Sequence, residues 1–92
     1  MTKQQFIDWA LSHGWHTDRF GHLQKTGTDT EGNPRDYRFK LSSTHVRWEI
    51  KIHLDGSQYS KPENKWVWLA GGYYKDISVN GDGKLHGLRR QI

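Results

Sequence analysis

The chain has 92 residues, no cysteine, 14 Lys and Arg against 10 Asp and Glu, and a formal net charge of +4. That length holds one small domain, residues 1–92, and the missing cysteines exclude a disulfide scaffold and a thiolate metal site. No apolar run approaches the roughly 20 residues of a membrane helix, and the opening Met-Thr-Lys-Gln-Gln has none of the apolar core of a signal peptide. A cytoplasmic protein with no membrane partner is therefore expected.

Thr2-Lys3-Gln4-Gln5 fits a capping box, with Thr2 as N-cap and Gln5 at the third helical position. Phe6, Ile7, Ala10 and Leu11 then share one helical face, and Gly14 suits the left-handed position that closes a helix. The spacing predicts a helix over residues 3–13, with Trp15 folding back on Trp9 or Ala10. Residues 19–26 read as a strand of poor alternation, because Phe20 and Leu23 have opposite parity. A bulge at Gly21 would reconcile them. Residues 27–34 (GTDTEGNP) read as a polar loop.

The clearest strands follow. Tyr37, Phe39 and Leu41 alternate with Arg38 and Lys40. Val46, Trp48, Ile50, Ile52 and Leu54 alternate with His45, Arg47, Glu49, Lys51 and His53, the pattern of a half-buried strand. Pairing Leu41 with Val46, Phe39 with Trp48 and Tyr37 with Ile50 puts every apolar residue on one side, whereas a one-residue slip mixes the faces. On the other side Arg38 then faces Glu49, Asp36 faces Lys51, and Lys40 faces Arg47. The first two pairs are complementary; the third sets two cations side by side with His45 at the same end. Such a pair either splays into water or holds an anion.

Asp55-Gly56 opens a long polar connection. Residues 65–71 read as a further strand, 73–80 as a fifth, Asn80-Gly81-Asp82-Gly83 as a tight turn, and 85–92 as a short last strand or a basic tail. The fold class is α+β: an N-terminal amphipathic helix packed on one face of a four- to five-stranded antiparallel sheet. Leu, Ile, Val and Phe number only 18, so the five Trp, four Tyr and three Phe must supply much of the core. In 65–71 both faces are apolar. If Val67 and Leu69 enter the core, Trp66 and Trp68 lie beside the basic face as a stacking platform; if the tryptophans are core, no platform exists.

Charge is uneven. Residues 1–34 carry −1 and residues 35–92 carry +5, so the basic character belongs to the strand-rich part. His13, His16, Asp18 and His22 offer zinc-binding atoms, yet their spacing straddles a helix end and surface histidines near a C-cap account for it better. The Asn80–Lys84 segment lacks the distal bidentate Glu of a calcium loop. No phosphate-binding or dinucleotide glycine motif occurs, and no cofactor is expected.

A helix, the Gly14-Trp15 step, Gly21-His22 at the first strand and two antiparallel strands are together similar in outline to HicA-type toxin ribonucleases. The resemblance covers residues 3–54. It implies a double-stranded-RNA-binding-like fold with His22 as the catalytic residue. The chain departs from that pattern in having Phe20 before Gly21-His22 and strands where the family closes with a helix.

The leading expectation is a small, basic, non-catalytic nucleic-acid-binding domain. Its cationic, aromatic-flanked sheet face would use Lys40, Arg47 and His45 with Trp66 and Trp68 to meet RNA or DNA. The alternative is a protein-interaction module or inhibitor that sets its aromatic surface against an acidic partner. A second alternative is a small toxin-like ribonuclease with His22 as acid/base. An uncovered sheet edge could also form a homodimer by strand addition.

Overall fold

A computed structural model of the chain describes residues 1–28, 30–54 and 63–88. The polar connection at 55–62 and the basic end at 89–92 lie outside the described residues.

Helix α1 spans Lys3–Ser12. The Thr2 hydroxyl accepts from the Gln5 backbone N–H at 3.1 Å, and the Gln5 side chain accepts from the Thr2 N–H at 2.8 Å, so two otherwise orphaned donors are satisfied. The helix stops where Gly14 takes φ +89, and the Trp15 N–H returns to the Ala10 carbonyl at 3.0 Å. That return places the Trp15 ring 4.0 Å from Phe39.

Strands β1 (His16–Thr17), β2 (Leu23–Thr28), β3 (Pro34–Leu41), β4 (His45–Leu54) and β5 (Glu63–Tyr73) form one antiparallel sheet in sequential order. A second sheet pairs β6 (Ser78–Val79) with β7 (Leu85–His86). The central hairpin has the register that the apolar faces demand: Leu41 opposite Val46, Phe39 opposite Trp48, Tyr37 opposite Ile50. Ser42 and His45 close it, the Ser42 N–H donating to the His45 carbonyl at 2.9 Å.

Phe6 and Ala10 of α1 are fully buried against Leu23, Phe39, Leu41 and Val46 of the sheet. Phe6 meets Phe39 edge-on at 4.9 Å, the arrangement that ring quadrupoles favour. Tyr74, Ile77, Leu85 and Leu88 complete this core from the C-terminal side, and the Trp9 indole N–H ties α1 to the Gly83 carbonyl at 2.9 Å. No helix among the described residues is long and apolar enough to cross a membrane.

Two segments differ from the sequence reading. The expected strand at 19–26 starts only at Leu23, and 18–21 is a turn between β1 and β2. No bulge forms at Gly21; the opposite parity of Phe20 and Leu23 is resolved because Phe20 sits on the turn, 68% exposed. The expected fifth strand at 73–80 is broken by a 3-10 turn at Tyr74–Asp76. Tyr74 and Ile77 are buried three residues apart, a helical rather than an alternating period. The fifth strand of the main sheet is instead the short β1.

Candidate functional site

The face of the sheet opposite α1 is built by strand parity. Lys40, Arg47 and Gly71 form one cross-strand row, and Gln24, Arg38, Glu49 and Trp68 form the next. Lys51 and Trp66 pair in a third. At the far end His45 pairs with Tyr73, their rings 6.0 Å apart in an edge-on contact.

A β-bulge between Trp48 and Glu49 decides where the tryptophans lie. Trp48 pairs with Ala70, but Glu49 pairs with Trp68, so Leu69 is the extra residue on β5. Beyond it Ala70 is on the helix side; before it Val67 is on the helix side, and Trp66 and Trp68 share the open face. All five residues expected at the site, Lys40, His45, Arg47, Trp66 and Trp68, are thus on one face. Trp66 stands at a distance from Lys40, across the Arg38–Glu49 row.

Arg38 donates to one oxygen of Glu49 through Nη2 at 2.6 Å and through Nε at 2.8 Å. Glu49 is only 5% exposed. A buried carboxylate is tolerated when so paired, and losing its partner would cost several kcal/mol, roughly 3–5. The same guanidinium lies 4.4 Å from the centre of the Trp66 ring, and the Lys51 ammonium lies 5.8 Å from it. The Arg38–Glu49 part of the face is thereby neutralised.

The other part is not. Among the described residues neither Lys40 nor Arg47 has a carboxylate partner. Arg47 instead stacks over Trp68, 4.7 Å from the ring centre. The Trp68 indole N–H donates to the Ala70 carbonyl at 2.6 Å, so the ring lies down over Gly71. A Cβ on Gly71 would come within 3.2 Å of the indole nitrogen, so a larger residue would push the ring outward by a few tenths of an ångström. Trp68 is 58% exposed and Tyr73 is 55% exposed. Between them opens a cleft of about 530 Å³ lined by His45, Arg47, Trp68, Gly71, Gly72, Tyr73, Asp76 and Gly87.

His22 flanks this cationic corner. Asp18 organises the preceding turn: its carboxylate accepts from the Phe20 N–H (2.8 Å), the His22 N–H (2.9 Å) and the Gln24 side-chain amide (2.9 Å). Partial burial would raise the Asp18 pKa, but these bonds outweigh it and hold the carboxyl below its ordinary range. The His22 imidazole accepts the Leu41 N–H at Nδ1, 3.1 Å away. Burial, opposed by the Asp18 charge and reinforced by Arg38 and Lys40, lowers its pKa. The ring is therefore neutral near pH 7 and carries its proton on Nε2.

The sequence does not single out Asp76, and it reads Gly71-Gly72-Tyr73-Tyr74 as a plain strand kink in preference to a bend presenting a tyrosine. The available signal was parity: Tyr73 lies two residues beyond Gly71, on the face that carries Arg47. Among the described residues no three His, Asp or Glu side chains gather as a metal site would need. The chain matches no protein family, no curated protein and no solved structure.

Proposed function

We propose that the open face binds single-stranded nucleic acid, with Lys40 and Arg47 taking the phosphates and Trp68 and Tyr73 offering rings for bases to stack on. The observation that supports this reading is the adjacent Lys40 and Arg47, free of carboxylates among the described residues, beside a tryptophan held ring-exposed by Gly71. A salt-bridged sheet face of ordinary surface character would have each cation opposite an acid, as Arg38 is. His22 fits contact better than acid/base catalysis. The basic nitrogen of the neutral ring, Nδ1, is engaged by the Leu41 backbone N–H and does not face a substrate.

The test is a titration of a fluorescent oligothymidylate of about eight nucleotides across a salt series. With two phosphate contacts the slope of log affinity against log salt is about −1.4. Lys40→Glu with Arg47→Glu lowers affinity about tenfold or more and flattens the slope. Absence of binding at low salt, or binding indifferent to salt, overturns the reading.

A further inference from the structure

Resting on that reading, we propose that the cleft at the end of β5 holds one base of the strand and selects guanine through the carboxylate of Asp76. The volume of about 530 Å³ falls within the roughly 300–1,000 Å³ typical of sites for small organic ligands, enough for a nucleotide. Gly72 lines it without a side chain, and the Trp68 ring lies over Gly71. The Trp68 and Tyr73 rings stand on either side of that glycine pair in the chain, and Arg47 and His45 border it from β4. A flat heterocycle is the ligand shape such walls accept.

Asp76 supplies the discrimination. It is the single carboxylate among the lining residues, is exposed, and has no hydrogen bond or ion pair among the described residues. The neighbouring Lys75 is turned to the Tyr73 ring, 5.7 Å from its centre. A carboxylate only accepts hydrogen bonds, and it repels phosphate. The group it receives must be an uncharged donor, while the phosphate goes to Arg47. Guanine presents two neighbouring donors, N1–H and the N2 amino group, which match the two carboxylate oxygens. Adenine and cytosine present one amino group beside a ring acceptor. Thymine and uracil present one N–H between two carbonyls that oppose the carboxylate. The order of preference is guanine first, adenine and cytosine next, thymine or uracil last.

The probes are oligothymidylates of about eight nucleotides with a single central dG, dA, dC or dT, titrated by fluorescence anisotropy with Trp68 emission followed in parallel. The dG probe binds several-fold more tightly than all-dT. Asp76→Asn abolishes that preference while binding all-dT at least as tightly as the parent, and its melting temperature, unchanged at this exposed position, shows that the fold is kept. Equal affinity for the four probes, or a dG preference that survives Asp76→Asn, overturns the base selection and leaves the single-strand reading standing. Failure of every probe to bind at low salt removes both.

Discussion

His22 shows how one side chain couples the turn to the charged corner. Its imidazole serves the fold as an acceptor for the Leu41 N–H, a role that only the neutral ring performs. Its pKa is lowered in the folded chain, by burial first and by Arg38 and Lys40 besides, against the pull of Asp18 and Glu49. The unfolded chain, with the ordinary value of 6.5, therefore takes up the proton more readily. The resulting stabilisation is complete above about pH 6.5 and is lost as pH falls through the lowered folded value. His22→Asn keeps an acceptor near the Nδ1 position and removes the titration. The variant melts near the parent temperature at pH 7.5 and loses less on going to pH 5.5; parallel losses in the two proteins would refute the assignment. The stabilisation from Asp18 is lost only below its ordinary value of 3.8, outside that window. The sequence brought Lys40 beside Arg47 from parity alone, because a slip of one residue would have turned apolar side chains to water. It could not bring His22 to the same corner. That depends on an Asx-type turn at Asp18, where Phe20 looks like a core residue and is not.

Elements were legible where two local signals agreed. The capping box and Gly14 bracket α1, and strict alternation marks β4. Signals failed where the tertiary structure sets the boundary. Trp15-His16-Thr17 has no strand pattern, and β1 exists only because the turn folds it onto β2. The side of the sheet taken by Trp66 and Trp68 hung on a bulge at Leu69, invisible in a segment apolar on both faces. The 3-10 turn and the β6–β7 pair are anchored by the buried Tyr74, Ile77, Leu85 and Leu88, and their backbones approach one another and β5 closely. A Cβ on Gly72 would come within 3.0 Å of the Gly87 carbonyl, and a Cβ on Gly87 would run into the Asp76 carbonyl. Gly87 also has φ +88, whereas Gly32 has φ +82 with nothing within 4 Å of its would-be Cβ. Both pay the left-handed penalty when substituted, about 1–2 kcal/mol. Only Gly87 also collides. Gly32→Ala is expected to cost about that penalty alone, and Gly87→Ala clearly more, as read in urea melts. Equal costs would mean that Gly87 is not seated closely against the 3-10 turn.

For the whole molecule the deciding quantity is where charge sits, not how much there is. A basic protein attracts any polyanion at low salt, so affinity alone does not distinguish a binding face from a diffuse field. The architecture separates the two cases. Lys40 and Arg47 lie on the open face of the sheet, whereas Lys25 and Lys84 line a depression with Trp9 and Trp15 on the helix side. Reversing either pair to Glu abolishes the formal net charge of +4. Screening confines each charge to about 10 Å at 0.1 M salt, less than half the longest dimension of the molecule, 48 Å. Lys25→Glu with Lys84→Glu therefore retains most of the affinity for oligothymidylate and its salt slope at 0.1 M, while Lys40→Glu with Arg47→Glu loses both. Equal losses from the two charge-matched pairs would reduce the interaction to net charge. The cross-strand cations, the glycine-seated tryptophan and the cleft beside them would then have no part in it.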